Sequence, residues 1–456
     1  MIGFVKPAPM LEYSARCYAM NLVEQVKQAG VVGAGGGGFP THIKLAAQAD
    51  TVIANGAECE PLLHKDAAVM EHWAADIVQG LVLAMTAVGA PTGVVGIKAK
   101  NQRAVAAIEA ACQGRPVRVQ LLGDYYPAGD EYDLVYTVTG RLIPPAGIPL
   151  HVGVVVANVE TLANVTAAAA GQPVTRKTLT IAGAVGEPLT LTVPLGTTLR
   201  DCLAAAGGAT VADPVLAIGG LMMGEHTDDL DRPVTKTTGG VIVLPRAHPI
   251  MERKFKPARI QQAIGKSACD QCRYCTEYCP RFLLGYAVEP HQVMRSLAFT
   301  ATGQEHWNLW AALCCACGLC TLYGCPEELY PKEACDQSKA QLRKGSLKWT
   351  GPAEVKVHPL RDGRRVPIKS LMRRLAIAEY DHPAHWTART VEPARVVLPL
   401  KQSAGVATTP LVRAGDRVRG GQPLGEIPPK ALSAIVHAPF DAVVAEVTPQ
   451  HIVLTR

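Results

Sequence analysis

The chain has 456 residues, a formal charge of +6, 48% hydrophobic and 5% aromatic residues, and 42 glycines. That length predicts about three or four domains, and a Gly-, Ala- and Val-rich composition poor in aromatics suits an α/β protein with tight turns. No stretch approaches the ~20 apolar residues of a membrane span. The 14 cysteines come without a signal peptide or a pairing pattern, which predicts a reducing, cytoplasmic compartment and excludes a disulfide framework.

In chain order, residues 1–20, with Met10, Leu11, Tyr13, Arg16 and Met20, read as a first helix packed on its own domain, with an address for a protein shell as the alternative. From Leu22 to Gly171, short apolar runs alternate with helical patterns. Leu22, Val23 and Val26 share one helical face, while Val52–Ala54, Val94–Ile97 and Val154–Ala157 read as strands. This alternation predicts a wound, Rossmann-like α/β domain over residues 1–172.

Within that domain lies Gly30-Val31-Val32-Gly33-Ala34-Gly35-Gly36-Gly37-Gly38-Phe39-Pro40-Thr41, followed by Lys44. Consecutive glycines allow positive φ and close approach of a ligand to the backbone. Their N–H groups, with a helix start near Thr41–Leu45, make an anion site suited to a phosphate. The segment fits no Walker A spacing and follows no clear strand, so a nucleotide P-loop and a dinucleotide fingerprint are both disfavoured. Three further polar segments follow: Asn55-Gly56-Ala57-Glu58-Cys59-Glu60-Pro61, Gly129-Asp130-Glu131 and Asn158-Val159-Glu160-Thr161-Leu162.

Residues 173–247 change character. Lys177–Ile181 and Leu189–Val193 alternate at period two around a turn at Gly183–Pro188, and a short helix over Leu199–Ala206 ends at Gly207-Gly208. Strand, hairpin, helix and strand predict a small β-grasp module.

Residues 248–345 carry eight cysteines in two runs, Cys269-Cys272-Cys275-Cys279-Pro280 and Cys314-Cys317-Cys320-Cys325-Pro326, among helical segments such as Pro290–Ala298 and Trp307–Leu313. The first run has the C-x2-C-x2-C-x3-C-P spacing that holds a [4Fe–4S] cluster, and the second has one extra residue before its last cysteine. Structural zinc would require two C-x2-C pairs per site instead of three evenly spaced cysteines and a Cys-Pro. Exchange of the fourth ligand between runs predicts one cluster on Cys269, Cys272, Cys275 and Cys325, and the other on Cys314, Cys317, Cys320 and Cys279. Cys315 reads as a buried or half-buried spare thiol.

Residues 346–388, with Arg361, Arg364, Arg365, Arg373 and Arg374, read as a solvated basic linker with one helix. Gly-Asp and Gly-Gln turns between short strands predict a C-terminal β-sandwich of the lipoyl-carrier type, a barrel-sandwich hybrid, over 389–456. Lys430 there is read as an ordinary loop lysine. The 13 histidines, His42, His64, His72, His248 and His437 among them, show no metal spacing and read as packing or surface residues.

The four segments of the first domain, in this order, resemble the flavin loop and its partner motifs in the FMN/NADH-binding subunit of respiratory complex I and its relatives. The β-grasp (SLBB-like) module and the two cluster motifs resemble the C subunit of the Rnf complex. With the sandwich placed C-terminally, the whole chain is most similar to the cobalamin reductases of propanediol-utilisation microcompartments. The resemblance implies FMN held by Gly33, Gly35, Gly36, Gly38 and Lys44 at its phosphate and ribityl chain. It implies that Asn55, Asn158 and Thr161 meet the ring or ribityl polar atoms, and that Phe39, Glu60 and Glu131 help to place a nicotinamide. Glu58, Gly129 and Asp130 complete the implied cofactor-binding set. Ala34, Ala57 and Asp130 depart from the complex I pattern, where Arg, Asp and Glu stand.

The implied activity is an NADH-dependent flavin and iron–sulfur oxidoreductase. Electrons would pass from NADH through FMN and two [4Fe–4S] clusters to a corrinoid or corrinoid enzyme, with a microcompartment shell and other redox proteins as further partners. The hydride step itself requires no acid/base side chain. The alternative is an Rnf-like subunit relaying electrons between ferredoxin, flavodoxin or NADH and a partner complex. A further alternative is a β-grasp module that escorts the corrin. Two oxidised clusters at about −2 each and a flavin phosphate at about −2 offset the formal +6, so the basic excess points to no nucleic acid partner.

Overall fold

The computed structural model describes residues 21–297 and 309–456. The expectations for residues 1–20, Ala298 and Trp307 lie outside the described residues.

The first unit is built on a parallel sheet of Thr51–Gly56 (β1), Thr92–Lys98 (β2), Val117–Leu122 (β3) and Val154–Asn158 (β5), in the order β3-β2-β1-β5. The short strand Tyr125–Tyr126 (β4) stands outside that sheet. Strands buried on both faces need near-continuous Val and Ile, which is what β1, β2 and β5 carry. Helices Ala74–Val88 and Val159–Ala169 pack together so closely that a Cβ at Gly80 would stand 1.9 Å from the Leu162 carbonyl oxygen. The strand order reverses between β1 and β5, and ligands in open α/β sheets bind at such a switch point beyond the strands' carboxyl ends. Asn55 and Asn158 face each other in register there.

The second unit is a mixed sheet of Arg176–Gly183 (β6), Leu189–Pro194 (β7), Pro214–Ile218 (β8), Glu225–Thr227 (β9) and Gly240–Pro245 (β10), ordered β7-β6-β10-β8-β9. Helix Leu199–Ala205 crosses it, with Thr198 as N-cap accepting from Asp201 N. This is the β-grasp arrangement.

Short helices wrap the cysteine runs: Pro249–Lys254, Ala258–Ala268, Tyr274–Glu277, Pro280–Leu283, Pro290–Ser296 and Pro331–Lys344. Three of these begin after a cysteine, a glutamate or a tyrosine with proline at the first helical position, where the missing N–H costs nothing. The C-terminal unit pairs Arg395–Pro399, His451–Thr455, Ala442–Val447 and Arg417–Val418, with Thr409–Pro410 against Gly425–Glu426. Its Val396, Leu398, Val436 and Leu454 belong to the same buried cluster as Val26 and Val52 of the first unit. Lys236 of the β-grasp unit, fully buried, ties the three units by donating to the carbonyls of Gly30 and Ile435, each at 2.6 Å.

The basic connector is not solvated as the sequence suggests. Val366–Pro367 pairs antiparallel with β4 of the first unit, and helix Ile368–Arg374 buries Leu371 and Met372. Arg361 is buried, donates to Asp133 Oδ1 at 2.6 Å and to Thr137 at 3.0 Å, and lies over the Tyr136 ring. The positive charges that look like a solvated run are partly consumed by acids and rings from other segments.

Candidate functional site

The glycine segment connects helix Leu22–Gln28 to helix Thr41–Leu45 and is pinned from both sides. Ala34 N donates to Thr161 Oγ1 at 2.8 Å, and Lys177 Nζ donates to Ala34 O at 2.9 Å. Gly36 and Gly38 take φ of 109° and 61°, which only glycine holds without strain. A Cβ at Gly36 or Gly37 would meet no atom within 4 Å, so the backbone is bare on the side where a ligand would lie.

This bare edge lines a cavity of about 780 Å³ at the β1/β5 switch point, a size typical of ligand sites. Gly33, Gly35, Gly36, Gly38, Phe39, Lys44, Asn55, Glu58, Glu60, Gly129, Asp130, Glu131, Asn158 and Thr161 all line it. Several of their polar atoms are already committed to the chain. Asn55 Nδ2 donates to Gly129 O at 3.0 Å and its Oδ1 accepts from Ala57 N at 3.1 Å. Asn158 caps its helix at Glu160 N and donates to Asp66 Oδ2 at 2.8 Å. Lys44 donates to Val156 O at 2.8 Å and faces Glu131 at 3.3 Å. Asp130 caps helix Glu131–Thr139 and meets Arg281 at 2.8 Å, and that guanidinium lies 3.4 Å from the Tyr132 ring centre. Glu60 accepts from Met222 N at 3.0 Å and Met223 N at 2.9 Å, so its carboxylate is turned toward the β-grasp unit.

The acids behind the cavity are deeply buried. Burial, with Asp66 close by, pushes Glu58 up to about 8, and burial pushes Glu60 up to about 7. Beneath the glycine loop, Glu160 accepts from Lys65 at 2.9 Å and Lys177 at 2.5 Å. Burial opposes its ionisation, but the two ammonium groups hold Glu160 below the ordinary carboxylate range.

Cys269, Cys272, Cys275 and Cys325 surround one small cavity, joining three cysteines of the first run to the last of the second. Cys279 instead lies near Cys315 and Cys314, and Cys320 near Cys314, Cys275 and Cys279. The loops wrap as cluster loops must. Gln271, Arg273 and Ala316 take positive φ between ligands, and donors are aimed at sulfur: Gln271 Nε2 at Cys269 (3.1 Å), Ala316 N at Cys314 (3.3 Å) and Leu329 N at Cys325 (3.3 Å). Burial pushes the Cys275 thiol up to about 12, so this sulfur becomes a thiolate only beside a strong positive charge such as iron. The donor sets fit two iron–sulfur clusters, and the bare loop fits a flavin phosphate.

Comparison with known proteins places the chain. It is 42% identical over 439 residues to the cobalamin reductase PduS of Citrobacter freundii, covering 96% of this chain and 97% of that protein. The chain belongs to the cobalamin reductase family. The Salmonella typhimurium member is 41% identical, again over 96% of this chain and 97% of its own length. The C subunit of the proton-translocating ferredoxin:NAD(+) oxidoreductase complex of Clostridium ljungdahlii is 34% identical over 57% of this chain and 55% of that one. Domain models match as a Nuo51 FMN-binding domain over 26–167, an SLBB domain over 178–225, a 4Fe-4S dicluster domain over 268–330 and an RnfC barrel sandwich hybrid domain over 384–455. The chain is thus a flavin and iron–sulfur electron-transfer protein, and no helix among the described residues is long and apolar enough to cross a membrane.

Sequence reasoning missed most of what the other units contribute to the cavity. Met223, Glu225, Arg232, Thr235 and Thr237 come from the β-grasp unit, and Cys315 and Cys317 from the second cysteine run. Tyr126, fully buried, donates to Cys317 O at 2.7 Å and fixes that loop against the flavin unit. The cysteine motif marks Cys317 as a cluster ligand, but no local motif marks it or the others as lining this cavity, because each reaches it only through domain docking. Cys315 is half-buried among the thiols, while Lys430 is exposed in a turn with φ of 60°. His437 is buried and His248 caps helix Pro249–Lys254.

Proposed function

We propose that the chain is an NADH-dependent reductase that delivers electrons to a corrinoid, the acceptor that the name cobalamin reductase gives for its relatives. The observation that carries the reading is that one cavity is lined both by the glycine loop and by Cys315 and Cys317 of a cluster loop. FMN, when bound, interconverts a hydride pair and single electrons, and the clusters take single electrons. The chain's own residues do the rest. Gly33, Gly35, Gly36, Gly38 and Lys44 would hold the phosphate and ribityl chain, with Thr161 and Lys177 fixing the loop's shape. Asn55 and Asn158 would form the floor beneath the ring, where Glu58, neutral near pH 7, offers a buried proton. Phe39 and Glu131 would flank the nicotinamide, and Glu60 would hold the β-grasp wall closed. The eight ligands would be shared as Cys269, Cys272, Cys275 and Cys325 for one cluster and Cys279, Cys314, Cys317 and Cys320 for the other. The second cluster would lie nearer the flavin.

The test is an anaerobic NADH titration of the reconstituted protein, following flavin and iron–sulfur absorbance, and then addition of cob(III)alamin. Bleaching of both bands by about two NADH per chain, four electrons for one FMN and two one-electron clusters, reversed by the corrin, is the expected result. Bleaching by dithionite alone would overturn NADH as donor and favour a relay fed by ferredoxin or flavodoxin. Residence in the cytoplasm, inside a microcompartment, belongs to the same reading, and co-purification with shell proteins tests it.

A further inference from the structure

The cavity has three cationic side chains in its lining, Lys44, Lys65 and Arg232. Lys65 is buried at 2% exposure between Asp66 (2.5 Å) and Glu160 (2.9 Å) and is neutralised within the wall. Lys44 stands beside the glycine loop, where the flavin phosphate is placed. Arg232 lines the same cavity from the β-grasp unit. Its fork is held by Glu225 in a two-point contact, Nη1 to Oε1 at 3.0 Å and Nη2 to Oε2 at 2.8 Å. With side-chain exposures of 41% and 59%, this pair adds little to stability, yet it presents a guanidinium already oriented for a planar two-oxygen anion.

We infer that Arg232 is the diphosphate-recognition residue for the pyridine dinucleotide, and that Glu225 is a stand-in anion which the diphosphate displaces. The inference rests on the reading of NADH as donor and deepens it: the β-grasp unit, rather than the glycine loop, selects a dinucleotide over a mononucleotide. A carboxylate and a phosphate offer the same paired oxygens, so the exchange preserves both hydrogen bonds to the guanidinium. Glu225 opposes the incoming charge until it swings outward to solvent. Thr235 and Thr237 of the same unit also line the cavity, their hydroxyl groups bonded to each other at 3.1 Å.

The experiment compares FMN-loaded wild type, Arg232→Gln, Arg232→Lys and Glu225→Gln. The readouts are KM and kcat for NADH, KM for reduced nicotinamide mononucleotide, and calorimetric binding of ADP-ribose, which carries the diphosphate without the nicotinamide. Loss of a charge-assisted two-point contact predicts a rise of at least about tenfold in the KM for NADH and the Kd for ADP-ribose in Arg232→Gln, with kcat and FMN content retained. Arg232→Lys should restore part of this, and the KM for the mononucleotide should move little. Glu225→Gln should shift both constants the other way. Unchanged constants in Arg232→Gln, or equal losses for NADH and the mononucleotide, would overturn the inference. ADP-ribose bound through Arg232 by a wild type that NADH cannot reduce would sink the donor reading and leave the diphosphate site standing.

Discussion

Replacing Glu160 by glutamine tests whether the buried charge cluster supports the glycine loop. In the parent, this carboxylate accepts from Lys65, Lys177 and Thr178 N while only 6% exposed. In Glu160→Gln, Lys65 keeps Asp66 at 2.5 Å, but Lys177 loses its counter-charge and keeps only neutral acceptors, the Ala34 carbonyl at 2.9 Å and the amide oxygen. Breaking a buried ion pair on one side costs about 3–5 kcal/mol. A ceiling comes from the lysine's escape by releasing its proton. From its value of about 8 in the folded parent, neutralisation at pH 7 costs roughly 1.4 kcal/mol at about 1.36 kcal/mol per unit, and this escape caps the loss. The sign follows from proton counting. Below 10.5 the unfolded variant holds a proton that the folded one has lost, so the variant gains stability as pH rises, by about 1.4 kcal/mol per unit. In the parent, burial outweighs Glu160 and holds Lys177 down at about 8, so its own gain starts only near that pH. Urea unfolding of the FMN-loaded proteins, followed by flavin fluorescence at pH 7 and pH 8, should show a deficit of about 1.4 kcal/mol at pH 7 that narrows by about 1 kcal/mol at pH 8. Because Lys177 also holds Ala34, flavin retention should weaken in parallel. A deficit below about 1 kcal/mol at pH 7, or one that does not narrow with pH, would refute the reasoning.

Three further outcomes follow from the same geometry. Cys325→Ser should remove the same cluster as Cys269→Ser, not that of Cys320→Ser, because Cys325 shares its cavity with Cys269, Cys272 and Cys275; matching EPR spectra and iron content in the first two variants check this. Arg361→Met leaves Asp133 buried with only the Tyr125 hydroxyl at 2.6 Å. It should cost about 3 kcal/mol and open residues 358–380 to protease, whereas an unchanged digest would mean that Val366, Leu371 and Met372 hold the strap unaided. Glu60, raised from 4.5 to about 7, binds a proton in the folded state that the unfolded chain has lost, so its contribution is full below 4.5 and declines as pH rises through 7. Glu60→Gln should flatten that decline, worth roughly 3 kcal/mol between pH 5 and pH 7.5 by the same per-unit cost, and equal pH slopes in melting curves would contradict it.

What could be read from the sequence was what local chemistry fixes. The cysteine spacing carries its meaning in a dozen residues, and the Val and Ile runs of β1, β2 and β5 could be read as buried parallel strands because such strands leave no polar face. The glycine loop was visible for the same reason: Gly36 and Gly38 occupy φ values that leave little choice of residue. The connector misled because a run of arginines has no local sign of its partners. Arg361 meets Asp133 across 228 positions of sequence, and Tyr125 receives the edge of Val366–Pro367 only after both units have folded. Arg232 was silent for a related reason, since a surface-type Arg–Glu pair becomes informative only once it is seen to line the flavin-side cavity.

Asp130 shows how a cofactor motif can be turned to structural use. The family resemblance puts it in the cofactor-binding set, yet its carboxylate already has three occupations: the backbone N–H groups of Tyr132 and Asp133 on Oδ1, and Arg281 on Oδ2. Arg281 follows Cys279-Pro280 directly, so the aspartate that starts a helix beside the flavin cavity also anchors the loop carrying a cluster ligand. Glutamate, one methylene longer, would reach a ligand more easily but would cap a helix less well. The aspartate at this position thus ties the start of helix Glu131–Thr139 to the loop that carries Cys279.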